Sequence, residues 1–133
     1  YVGAIDQGTQ STRFVIMNTD NHEIVASHQV PLKLHSAAPG WAEQDPIELL
    51  HSVKDSVRGC IEKANTTLQQ SIQLCSIGIT NQRETLVAWR RSNGQPLCNA
   101  LVWLDARNAS LVERMLNENF SSNVDALRDR SGL

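Results

Sequence analysis

Hydrophobic and polar positions set a short period at the start of the chain and a longer one in its middle. Tyr1 to Asp6 is an apolar run closed by a carboxylate, the pattern of a buried strand. Gln7-Gly8-Thr9-Gln10 is polar with one glycine, which marks a tight turn. Arg13 to Met17 is apolar and β-branched and predicts a second strand, and Asn18-Thr19-Asp20-Asn21 is turn material. Glu23 to Val30 predicts a third strand. Short turns between these strands predict an antiparallel meander.

Leu32 to Gln44 reads as a loop, with Pro39-Gly40 as its turn. A helix then opens on a clear signature: Asp45 as N-cap, Pro46 in the first helical position and Glu48 to close a capping box. Ile47, Leu50, Val53, Val57, Ile61, Ala64 and Leu68 recur every three or four residues. They predict one apolar face on a helix of about five turns. Ser76 to Thr80 predicts a strand reached by a crossover, hence parallel pairing. Asn81 to Glu84 is polar and is expected outside the core. Thr85 to Trp89 and Leu97 to Trp103 predict strands on either side of a Ser92-Asn93-Gly94 hairpin turn. Asn108 is placed to cap a helix carrying Leu111, Val112, Met115 and Leu116. Ser122 and Asp125 make a second capping-box pattern for a short helix ended by Gly132. A meander followed by alternating helix and strand predicts an α/β fold with a mixed sheet.

Composition narrows the class. The chain has 133 residues, 41% hydrophobic and 20% charged. That length suits one domain, able to bury roughly two-thirds of its unfolded surface. No apolar stretch approaches the ~20 residues that span a bilayer. The net charge of −2 offers no basic surface to nucleic acid. Cys60, Cys75 and Cys98 are widely spaced and odd in number, which argues against a disulfide framework and for a reducing, cytoplasmic setting. His22, His28, His35 and His51 show no metal-ligand spacing. The chain starts without Met inside a predicted strand and stops at Ser131-Gly132-Leu133. The expectation is an incomplete N-terminal domain, residues 1–133, with a C-terminal domain outside this chain.

Three segments could carry chemistry. In Asp6-Gln7-Gly8-Thr9-Gln10-Ser11-Thr12-Arg13, a carboxylate at a strand end can hold a hydrated Mg²⁺. Gly8 admits a close ligand approach, and turn N–H groups with the Thr9, Ser11 and Thr12 hydroxyls can cradle anionic oxygens, with Arg13 as a charged donor. The alternative is a plain hairpin turn with solvated hydroxyls. In Asn81-Gln82-Arg83-Glu84-Thr85, adjacent Arg83 and Glu84 can donate to and accept from polyol hydroxyls. The alternative is a polar loop with a local ion pair. In Leu101 to Arg107, Trp103 could lie on the carbon side of a polyol or simply pack, and Asp105 and Arg107 could pair to hold the turn. Pro39 to Pro46 reads as structural.

Taken together, Gly3-Ala4-Ile5-Asp6-Gln7-Gly8-Thr9, Ser11-Thr12-Arg13, Pro39-Gly40-Trp41, Gln44-Asp45-Pro46, Ile77 to Thr85 and Ala100-Leu101-Val102-Trp103 resemble the FGGY carbohydrate kinases. The Asn-Gln-Arg-Glu-Thr block resembles the glycerol-phosphorylating branch. The element order matches the actin-like ATPase (ribonuclease H-like) domain. The resemblance implies ATP-dependent phosphorylation of glycerol to sn-glycerol 3-phosphate by a complete protein, with ATP and Mg²⁺, no nucleic acid, and room for a homo-oligomer. It puts Asp6 near Mg²⁺ through water. It puts Gly8, Thr9, Gln10, Ser11 and Arg13 at nucleotide positions, and Arg83, Glu84 and Trp103 at glycerol. The general base would lie beyond Leu133. Gln10 departs from the family's Thr or Ser: its backbone N–H remains but the hydroxyl is lost. Two alternatives stay open, a kinase of another carbohydrate and a non-catalytic homologue acting as an interaction module.

Overall fold

In a computed structural model describing residues 1–119 together with Asn123, Asp125 and Arg128, the meander forms as expected. β1 (Val2–Gln7), β2 (Ser11–Met17) and β3 (Ile24–Pro31) pair antiparallel. Alternation along β2 sends Thr12, Phe14 and Ile16 to a buried face and leaves Arg13 exposed. A two-residue strand, β4 (Glu43–Gln44), ends the following loop, and α1 (Pro46–Leu68) packs across β2 and β3. β5 (Ser76–Asn81) then joins β1 in parallel, giving the order β3-β2-β1-β5. β6 (Ala100–Leu101) pairs antiparallel with β4, and α2 (Ala109–Asn119) follows.

The core is one layer of α1 on the meander. Phe14, Ile16, Cys60 and Ala64 are fully buried, with Ile5 beside them. Gly3 sits under the Phe14 ring: a Cβ there would lie 2.3 Å from a ring carbon, so only glycine lets the strand pass. The Asp45 carboxylate accepts from the Ile47 N–H at 2.7 Å and caps α1. Glu48 makes no return bond among the described residues, so the capping box is half realised and Glu48 serves only as an acid in the first turn.

Several expectations change. The most buried stripe of α1 is Leu49, Ser52, Ser56, Cys60 and Ala64. Ile47 and Leu50 are exposed, so the helix is rotated by about one position from the predicted face. The reason is polar: the Ser52 and Thr12 hydroxyls pair at 2.6 Å, and Ser56 donates to the Val53 carbonyl, so both serines are satisfied when buried. Thr85–Trp89 is not a strand, and Leu97–Trp103 contracts to β6. The hairpin topology survives as isolated bridges, Leu86 with Leu101 and Trp89 with Pro96. Gly94 takes φ 72° at its turn. On α2, Leu111, Val112 and Met115 are exposed, although the Asn108 carbonyl accepts the first helical bond, from Val112. The short helix expected between Ser122 and Gly132 lies almost wholly outside the described residues. Every residue of β5 is exposed, Ile79 at 74%.

Candidate functional site

The parallel β1–β5 pairing decides the site's position. Their ladder ends at Gln7 opposite Asn81, so the Gly8–Gln10 turn and the Gln82–Thr85 loop leave the sheet side by side. Trp103 comes to the same place from the turn after β6, and its indole N–H donates to the Thr9 hydroxyl at 2.9 Å. Thr9, Gln82, Arg83, Glu84 and Trp103 line one cavity of about 360 Å³. Arg83, Glu84 and Trp103 are exposed to it. Glu84 holds φ 67°, left-handed backbone that a non-glycine residue adopts at a cost of order 1–3 kcal/mol. Neither motif nor periodicity signals that conformation.

The remaining residues of the first hairpin divide between two faces. Asp6 pairs in register with Arg13 on one side and Thr80 on the other, forming a row on the face opposite α1. The Asp6 carboxylate has no partner among the described residues. Arg13 instead donates to Gln29 at 2.7 Å, and Gln29 donates to the Ser11 hydroxyl at 2.8 Å. Gly8 donates to the Ser11 carbonyl, closing the turn, and Gln10 is exposed at its tip with its carbonyl held by Leu32. Thr12, offered as a phosphate hydroxyl, points the other way and is buried against Ser52. Thus Thr9 alone of the hairpin set lines the cavity with Arg83, Glu84 and Trp103.

Two buried glutamines were not legible as site residues. Gln82 belongs to a segment expected outside the core, yet it is buried. Its amide donates to the Gly8 carbonyl at 3.1 Å and to Gln44 at 2.8 Å, which satisfies it there. Gln44, in the loop read as structural, donates to the Thr9 carbonyl at 2.7 Å. The only sequence signal is that Gln82 lies within the segment singled out for Arg83 and Glu84, and Gln44 within the Gln44-Asp45-Pro46 block of the resemblance.

Beside this lies a charged cluster. Asp105 accepts from the Ala42 N–H at 2.7 Å and from the Arg107 guanidinium, as the two-residue spacing suggested. Arg107 also reaches Glu43 at 2.7 Å and lies over the Trp41 ring, 3.9 Å from its centroid. Hydrogen bonds from Arg107 hold the Asp105 carboxyl well below the usual carboxylate range, and those from Asn99 and then Arg107 lower Glu43. Bonds to Asp105 and Glu43 in turn raise Arg107. A larger groove of about 490 Å³, between α1 and β3, contains none of the residues singled out from the sequence.

No three His, Cys, Asp or Glu side chains converge to hold a metal among the described residues. The open Asp6 carboxylate fits a hydrated cation carried by a phosphate, not a protein-caged ion. Among the same residues no helix is long and apolar enough to cross a membrane.

The profile of the FGGY family of carbohydrate kinases, N-terminal domain, matches residues 1–133. A glycerol kinase of Rhizorhabdus wittichii is 43% identical over the whole chain, which covers 25% of that protein. A probable glycerol kinase of Caenorhabditis elegans is 39% identical over 99% of the chain and 26% of its own length. The chain thus spans about a quarter of these curated relatives. Among solved structures, Plasmodium falciparum glycerol kinase with ADP superposes with a TM-score of 0.77 at 35% identity, covering 91% of this chain and 24% of that one. A xylulose kinase from Rhodospirillum rubrum gives 0.75 at 26% identity, covering 91% and 24%. The α/β architecture is that of the actin-like ATPase fold, and the chain belongs to the FGGY family of carbohydrate kinases.

Proposed function

We propose that the complete protein phosphorylates glycerol at the expense of ATP, giving sn-glycerol 3-phosphate, with this chain as its N-terminal domain. The observation that carries the reading is the single cavity on which Thr9, Arg83, Glu84 and Trp103 converge. The glycerol kinases among the relatives support the choice of substrate.

In this mechanism Glu84 accepts hydrogen bonds from glycerol hydroxyls and Arg83 donates to them. Trp103 covers the carbon side, its ring held by the bond to Thr9. The Thr9 hydroxyl accepts from Trp103 and keeps its own proton to donate toward a phosphate oxygen. Backbone N–H groups of the Thr9–Ser11 turn complete the phosphate cradle, so Gln10 contributes through its backbone, and Arg13 sits further along the same hairpin. Mg²⁺ bound with the nucleotide would supply charge neutralisation, and Asp6 would hold it through water. The proton of the attacking hydroxyl goes to a base outside these residues; Asp6 is not assigned that role. Most of the rate then comes from positioning and electrostatics.

The test is ADP release by the complete protein with glycerol against a panel of sugars and polyols. Glycerol-dependent turnover is expected. Turnover with another carbohydrate alone would move the assignment within the family, and none with any substrate, from folded protein, would leave an interaction module.

A further inference from the structure

Behind the cavity, hydrogen bonds close into a ring. The Trp103 backbone N–H donates to the Thr85 hydroxyl at 3.3 Å, and that hydroxyl donates to Gln82 Oε1 at 3.0 Å. Gln82 Nε2 donates to Gln44 Oε1 at 2.8 Å, and Gln44 Nε2 donates to the Thr9 carbonyl at 2.7 Å. The bond from the Trp103 indole to the Thr9 hydroxyl completes the circuit. The amide orientations are not interchangeable. Gly8 and Thr9 present carbonyl oxygens, which only accept, so each glutamine must turn its nitrogen toward them. Gln44 is 1% exposed and Gln82 9%, so a broken link leaves a buried polar group without a partner.

The ring takes over where the sheet stops. Backbone pairing of β1 with β5 ends at Gln7 and Asn81, and the Gln82 side chain then bonds to Gly8 in place of the next rung. We infer that Gln44 and Gln82 are positioning residues that set the separation between the phosphate turn at Thr9 and the Arg83–Glu84 pair. This rests on the glycerol-kinase reading of the cavity. Neither glutamine needs to touch a reacting atom; each acts through the backbone carbonyl it holds. A misplacement of about 1 Å between reacting groups can cost on the order of a hundredfold in rate.

Thr85 gives the cleanest test, since it bridges Gln82 and Trp103 and is only half-buried. Thr85→Val keeps the shape and removes the hydroxyl; Thr85→Ser keeps the hydroxyl. In the complete protein, Thr85→Val and Gln44→Met should lower kcat at saturating ATP and glycerol by roughly 10- to 100-fold. The Kd of glycerol and of ADP, each titrated alone, should stay within about threefold of wild type, and Thr85→Ser should keep kcat within about threefold. Wild-type kcat in Thr85→Val with only a lowered Tm would overturn the inference. So would a loss expressed wholly in glycerol Kd with kcat intact. If Gln44→Met does not fold, the Thr85 pair decides alone. Absence of glycerol turnover by the wild type would instead refute the underlying reading, before any variant is compared.

Discussion

Glu43 and Gln44 are neighbours in one two-residue strand, and alternation sends their side chains into different chemistries. Gln44 enters a neutral ring of amides and hydroxyls behind the cavity. Glu43 enters an ion-pair cluster with Arg107, itself paired to Asp105 and stacked on Trp41. Both tie the loop before α1 to distant chain. The neutral ring reaches Thr9 and Trp103, which line the cavity; the charged cluster reaches the turn that carries Trp103 but not the cavity floor. The difference teaches a division of work: directional neutral bonds set the site's spacing, and charge clamps the frame around it.

That division can be broken by substitution. Among single changes here, Arg107→Ala should lower the Tm of the complete protein most, because Asp105 and Glu43 both lose their cation. Its kcat should fall less than that of Gln44→Met; the reverse order would erase the comparison. Acid sharpens it. The Asp105 pKa is depressed in the folded state, so its stabilisation is whole above the ordinary value of 3.8 and is lost as pH falls below it. The Tm gap between wild type and Asp105→Asn should therefore hold steady from about pH 6 to about pH 4 and narrow as the pH falls further, while the gap for Gln44→Met should not follow that course. Asp45→Ala, which touches neither network, should cost about 1 kcal/mol through its cap and leave kcat unchanged. Smallest of all, Arg58→Ala breaks an exposed ion pair with Asp55 and should cost under about 0.5 kcal/mol in thermal or denaturant unfolding.

The meander, the capped start of α1 and the parallel β5 were legible because each rests on local pattern: alternation, a cap residue, a crossover length. Three of the residues singled out for substrate, Arg83, Glu84 and Trp103, do converge with Thr9 on one cavity. What sequence concealed was burial of polar side chains. Ser52, Ser56, Gln44 and Gln82 look like surface residues, and hydrogen bonds satisfy each where it is buried: a local one to the Val53 carbonyl for Ser56, and tertiary ones for the rest, Thr12 for Ser52, the Thr9 carbonyl for Gln44 and the Gly8 carbonyl for Gln82. Strand lengths failed for a related reason. Leu86 to Trp89 pairs through isolated bridges alone, Leu86 to Leu101 of β6 and Trp89 to Pro96, an arrangement its own alternation does not encode. The left-handed Glu84 had no sequence sign, since the residue there is not glycine.

The most direct measurement is the steady-state glycerol dependence of the complete protein beside Glu84→Ala, at saturating ATP. Loss of a charged hydrogen-bond acceptor predicts a glycerol KM raised about 10- to 150-fold. Glycerol kinetics indistinguishable from wild type would contradict the assignment of this cavity to the substrate.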